Sequence, residues 1–111
     1  MMTWKITYTA NARRDLRNIM DYISYALFEP GTAKNILRKI MGEIDRLDKM
    51  PLRHPLFHEE PWRSQGLRFF PVGNYLEFYL PSEERRTVHI VRVIYGGRDI
   101  RKELSSEHET Q

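Results

Sequence analysis

The sequence predicts one α+β domain, in which an N-terminal strand leads into an antiparallel helical hairpin packed on a mainly antiparallel sheet with a three-stranded C-terminal meander. Apolar periodicity runs from two to about 3.6 and back to two along the chain. Proline and glycine punctuate those changes at positions 30–31, 51, 73 and 96–97. A length of 111 residues with 41% hydrophobic content suits one core and is too short for two domains. At this size roughly two-thirds of the unfolded surface can be buried, so no metal or disulfide staple is needed.

The elements follow in order. Residues 3–9 alternate Trp4, Ile6 and Tyr8 with Lys5 and Thr7, a half-buried strand. Leu16, Ile19, Met20, Ile23 and Leu27 recur at helical spacing, so a helix is expected from about residue 10 to 28, with Thr9 or Asn11 placed to cap it. Pro30-Gly31 breaks it, and Ala33, Ile36, Leu37, Ile40, Ile44 and Leu47 carry a second helix until Pro51. Residues 51–66 hold Pro51, Pro55 and Pro61 without sustained periodicity, an ordered loop in which Leu56, Phe57 and Trp62 must pack. Residues 67–72 and 75–80 form a hairpin about Gly73-Asn74, whose glycine supplies the positive φ a two-residue turn demands. Pro71 cannot donate to a ladder and places its strand at a sheet edge or a bulge. Residues 87–95, apolar on both faces, read as a central strand. Gly96-Gly97 ends it, and residues 98–104 form a short terminal helix. Residues 1–104 thus make the domain, and 105–111 a polar tail expected to be disordered.

Composition excludes several chemistries. Without cysteine there is no thiolate zinc site, Cys nucleophile or redox pair. No apolar run approaches the roughly 18–20 residues of a membrane span, and the N-terminus lacks a signal-peptide stretch, so a cytoplasmic location without membrane association is expected. The formal charge is +3, but the last nine residues hold three Glu and no Lys or Arg, leaving 18 basic against 12 acidic side chains, or +6, on the rest. Thirteen of the basic residues are Arg, whose planar fork suits phosphate or carboxylate. An acidic or polyanionic partner fits this balance, as do helix faces solvated by arginine.

No serine sits in a nucleophile elbow. His54 and His58 have helical zinc spacing, but Pro55 between them opposes a helix, so neither a metal nor a cofactor is expected. Arg92 interrupts an apolar strand on the face alternation assigns to Val88, Ile90 and Ile94. It must reach solvent or a partner, because burying it unpaired would cost several kcal/mol. Asp99 or Glu77 is the expected internal partner. Strict alternation puts His89 and Tyr95 on the other face unless a bulge intervenes.

Three stretches, Gly66-Leu67-Arg68, residues 72–79 (Val-Gly-Asn-Tyr-Leu-Glu-Phe-Tyr) and residues 88–100 (Val-His-Ile-Val-Arg-Val-Ile-Tyr-Gly-Gly-Arg-Asp-Ile), resemble the RelE/ParE superfamily of bacterial toxins. Ala12 to Leu16, Ile19, Tyr22-Ile23, Ala33 and the Ile40, Ile44, Leu47 series before Pro51 are similar to that family's helical hairpin. The resemblance covers residues 3 to about 104 and implies the fold derived above, growth arrest, a plasmid-stabilisation-like toxin–antitoxin role, and neutralisation by a cognate antitoxin. It leaves the oligomeric state open.

RelE-type members are ribosome-dependent mRNA endonucleases with basic residues on the hairpin strands and a late Tyr or His. ParE-type members poison DNA gyrase and lack that set. Arg68 and Arg98 fall near basic positions of the nuclease branch, but Phe70 and Leu76 stand where further cations are expected. Losing one phosphate-stabilising donor typically costs about 3 kcal/mol of transition-state stabilisation. The long hairpin and the Gly-Gly-Arg-Asp-Ile ending look more like the ParE branch, so gyrase poisoning is the favoured reading. The alternative is a YoeB-like nuclease in which Arg68, Arg92 or Arg98 stabilises phosphate and Tyr95 or Glu60 moves protons. A third reading is a non-toxic module that only binds an antitoxin. The partner-binding residues expected are Arg68, Arg92, Arg98, Asp99 and Arg101.

Overall fold

A computed structural model describes residues 3–105. Strand β1 (Lys5–Tyr8) is shorter than its alternating pattern. It pairs in parallel with β4 (Thr87–Tyr95), which pairs antiparallel with β3 (Tyr75–Ser82), itself antiparallel to β2 (Arg68–Val72). The order β1-β4-β3-β2 puts the doubly apolar strand in the interior and Pro71 on the edge strand. Gly73 has φ +60° at the start of the turn between β2 and β3, and Val72 faces Tyr75 directly, a hairpin register closed by two residues.

Thr9 caps α1 (Ala10–Asp21), its hydroxyl accepting from the Ala12 N–H at 3.1 Å and donating to the Val91 carbonyl at 3.0 Å. The helix does not run on as an α-helix to residue 28. It widens into a π-helical turn (Tyr22–Ala26) in which the Leu27 N–H reaches the Tyr22 carbonyl. Phe28 then takes φ +55°, and Pro30 opens α2 (Pro30–Asp45) at its first turn. The proline expected as a breaker is a starter, because its missing N–H is one of the donors a helix leaves unpaired there. Helix α2 stops at Asp45, and a 3-10 turn (Arg46–Asp48) carries the chain toward Pro51. The loop that follows contains a four-residue helix, α3 (Trp62–Gln65), closed by Gly66 at φ +87°. Helix α4 (Ile100–Ser105) ends the described chain. Ser105, expected in the tail, is therefore helical, and the rest of that tail lies outside the described residues.

Two apolar clusters flank the sheet. On one face Ala12 of α1 and Ile40, Ile44 and Leu47 meet Phe70, Val72, Tyr79, Val88, Ile90 and Val93. Each fully buried aliphatic side chain there contributes about 1.5–3 kcal/mol. The opposite face is not bare, because Phe57, Trp62, Leu67 and Leu104 pack on Phe78, Val91 and Ile94. Helical cover is therefore on both faces of the sheet.

The pairing of β3 with β4 explains why alternation fails. Phe78 faces Arg92, but its successor Tyr79 faces Ile90, so Val91 is an extra residue in β4. Beyond this bulge the inside–outside order shifts. Val88 and Ile90 stay in the helix-facing cluster, while Ile94 joins the other, so the single face predicted for Val88, Ile90, Arg92 and Ile94 does not exist.

The positive φ of Phe28 costs about 1 kcal/mol, and its side chain is 83% exposed, so little burial is lost on replacing it. Phe28→Asn, a residue that tolerates this conformation, should raise stability by about 0.5–1 kcal/mol, read as a higher urea midpoint.

Candidate functional site

A cleft of about 780 Å³ opens between α1, the π-helical turn, the start of α2 and the C-terminal end of β4. Its apolar wall includes Ile19, Ile36, Tyr22 and Tyr75, and its polar rim includes Arg14, Asn18, Arg98 and Glu29. The turns build it. Asn74 accepts from the Gly96 N–H at 2.8 Å, pinning the β2–β3 turn to the end of β4. A Cβ on Gly97 would come within 2.5 Å of the Tyr95 ring, so glycine there allows that ring to lie across the backbone. The Tyr75 and Tyr95 rings meet edge to face with centroids 5.8 Å apart. Burial, and then Tyr95 and Tyr22 nearby, raise the Tyr75 pKa. Tyr22, Tyr25, Leu27, Phe28 and Tyr95 are all at least half exposed or nearly so, an apolar surface running from the cleft over the hairpin tip.

At the floor of the cleft lies the strongest polar network described. Arg92 Nε donates to Asp15 Oδ2 at 2.7 Å and its Nη2 to Asp15 Oδ1 at 3.1 Å, a two-pronged pair. Its Nη1 donates to the Glu103 carbonyl at 2.7 Å and its Nη2 to Glu103 Oε1 at 3.3 Å. Asp15 also accepts the Val93 N–H at 2.9 Å. The expected partners, Asp99 and Glu77, are not those used. Asp99 instead accepts from the Lys102 N–H through Oδ1 at 3.2 Å and from the Glu103 N–H through its carbonyl, holding the first turn of α4. Glu77 lies elsewhere in the core. Burial opposes the charge on Arg92, but Asp15 and then Glu103 outweigh it and raise its pKa.

The remaining sequence candidates do not converge. Arg92, Tyr95 and Arg98 line the cleft, whereas Arg68 and Glu60 do not. Arg68 Nη1 donates to the His54 carbonyl at 2.6 Å, with the Leu52 carbonyl at 3.5 Å, so it ties β2 to the loop. His54 stacks on Phe70, centroids 4.1 Å apart, and burial, then Arg53, lower its pKa and keep it neutral near pH 7. Glu60 accepts the Ser64 N–H at 3.0 Å, and hydrogen bonding by Ser64 lowers its pKa, which weakens it as a base. Arg101 Nε donates to Glu59 Oε1 at 2.7 Å, with Nη2 on the same oxygen, anchoring α4 to the loop. Arg98 is 64% exposed at its side chain and only 3.9 Å from Glu103. Phe70 is buried, and Leu76 packs against the loop-side cluster. Sequence reasoning missed Asp15, whose only signal was an acid on the inner face of α1 beside Leu16, and it missed the cleft wall on α1 and α2.

Residues 6–100 match the family described as the ParE toxin of the type II toxin–antitoxin system parDE. The chain belongs to the ParE toxin family. Among solved structures, the toxin fold is shared with a chain of the chromosomal ParDE system of P. aeruginosa, 18% identical over 84% of this chain and 96% of that one, TM-score 0.68. A chain of the RelBE2 toxin–antitoxin complex of Mycobacterium tuberculosis is 25% identical over 86% of this ParE-family chain and 93% of its own length, TM-score 0.59. A free E. coli RelE variant is 9% identical over 96% and 98%, TM-score 0.65. No curated protein matches the chain. Among the described residues, no helix of this ParE-family toxin is long and apolar enough to cross a membrane.

The Arg92 side chain is 10% exposed and that of Asp15 13%, so breaking the pair strands a buried charge. Asp15→Ala should cost about 3–5 kcal/mol in urea denaturation. The double variant Asp15→Leu with Arg92→Met should recover most of that loss.

Proposed function

We propose that this ParE-family toxin arrests growth by inhibiting DNA gyrase and that it is not a ribosome-dependent endonuclease. The observation that carries this reading is that two of the three arginines a nuclease would need, Arg68 and Arg92, are held by other groups of the fold, which leaves only Arg98 of the three exposed at the cleft. Arg68 is tied through Nη1 to the His54 and Leu52 carbonyls, and Arg92 is tied to Asp15 and Glu103. Phosphate stabilisation needs donors aimed at a reacting oxyanion, and a guanidinium held on internal carboxylates or carbonyls is less free to turn toward one. Phe70 and Leu76 remove two more positions. The second reading, a nuclease, is favoured by one observation, that Arg14, Arg98 and Tyr95 share the cleft.

The cleft and the exposed aromatic tip beside it are the proposed seat of the cognate antitoxin. The apolar wall suits aliphatic or aromatic anchors, and Arg14 and Arg98 on the rim suit acidic side chains between them. Asp99 and Arg101 then serve the interface indirectly, by holding α4 at the cleft edge. The solved ParDE and RelBE2 assemblies of similar fold support a protein partner.

Purified toxin is expected to inhibit supercoiling by species-matched gyrase or trap cleaved DNA, while mRNA in a translation-coupled reaction stays intact. Cleaved mRNA, abolished by Arg98→Ala, would instead establish the nuclease reading. Gly97→Ala, which displaces the Tyr95 ring, should weaken capture of the antitoxin about tenfold, or roughly 1.4 kcal/mol. Rising salt should weaken it further. Unchanged capture would put the antitoxin on another face.

A further inference from the structure

The buried face of β3 carries a group that neither the toxin activity nor the cleft uses. Glu77 is 0% exposed, and neither carboxyl oxygen has a hydrogen-bond partner. Its cross-strand neighbours are Phe70 on β2 and Val93 on β4, both in the cluster that packs against Ile40 and Ile44 of α2. A carboxylate in that setting would lack both water and a counter-charge.

We propose that Glu77 is a proton-operated catch between the helical layer and the sheet: as a neutral acid it lets the layers close, and loss of its proton drives them open so that the carboxylate meets water. Burial pushes its pKa up to about 9, and the backbone N–H groups of Glu77 and Val72, which favour the carboxylate without reaching it in hydrogen-bond geometry, oppose this more weakly.

The groups facing this region from each neighbouring element do not neutralise it. Arg92 of β4 and Asp15 of α1 are paired to each other, and Glu103 of α4 joins them. Arg68 of β2 is bound to loop carbonyls. His54, stacked on Phe70, has its pKa lowered, and Tyr75 and Tyr79 of β3 have theirs raised, so all three are neutral near pH 7. On α2, Lys34 and Lys39 are exposed, and Glu43 pairs with Arg46.

The sign follows from proton counting. With the folded pKa above the unfolded one, the folded chain holds one more proton than the unfolded chain between them, so stability is fully present below the unfolded value and lost as pH rises toward about 9. Near neutral pH the free toxin therefore sits on a slope of stability, and its exposure to proteolysis follows the pH of its surroundings.

The test is urea unfolding of the full chain from about pH 7 to 9, a window above the titration of His54 and below that of the tyrosines. The unfolding constant should rise nearly tenfold from pH 7 to 8 in the wild type and less steeply toward about 9, and stay flat in Glu77→Gln and Glu77→Met. Infrared difference spectra of wild type against Glu77→Gln at pH 7 should show the carbonyl band of a protonated carboxyl. A flat wild-type profile, an equal slope in the variants, or a carboxylate band at pH 7 would overturn the proposal. If neither variant folds, the wild-type slope and the wild-type infrared band at pH 7, lost when the chain unfolds, decide it.

Discussion

The molecule is organised around one guanidinium. Arg92 is held by the side chain of Asp15 on α1 and by both the backbone and side chain of Glu103 on α4, so one residue of the central strand joins both layers that cover the sheet. Asp15 extends the link by accepting the Val93 N–H. A charge this deeply placed is stable only while each of its donors is answered. The network therefore dictates where α1 and α4 sit, and through them the two sides of the cleft.

The bulge at Val91 makes this possible. An unbroken β4 would point Arg92 along with Val88 and Ile90 into the apolar helix-facing cluster. The extra residue shifts the strand by one position, so that Val93 takes up the apolar role and the guanidinium meets carboxylates from the flanking helices. Thr9 braces the same point, because its hydroxyl spans the Val91 carbonyl and the first turn of α1. Strand register, helix capping and ion pairing thus converge on three consecutive residues of β4.

This convergence also marks the limit of what the residue order discloses. The strands, the hairpin turn at Gly73 and the helical stripes were legible because period and turn chemistry are local properties. The edge position of Pro71 was legible for the same reason, since proline lacks a donor. The π-helical turn, the bulge and the partners of Arg92 were not, because none follows from period or turn chemistry; Asp15 and Arg92, for one, lie 77 residues apart in the chain. Pro30 was misread as a stop because the same ring ends one helix pattern and begins another, and only the geometry of the preceding turn decides which. Of the site, Tyr95 and Arg98 were legible at the strand end, but the wall they face comes from α1 and α2.

Arg92 and Glu77 show two solutions to the same physical problem on neighbouring strands. Arg92 cannot shed its charge at any ordinary pH, so the fold must surround it with acceptors, and it does so by recruiting three elements. Glu77 can shed its charge by taking a proton, so the fold supplies no counter-charge and leaves the acid among Phe70, Val93 and the α2 side chains. The first arrangement is built on a cation that no ordinary pH removes. The second leaves the closure of the layers dependent on a proton. On the proposed reading, a toxin built this way keeps its cleft geometry fixed by the arginine while its overall persistence is set by the acid, so shape and lifetime are governed by separate residues.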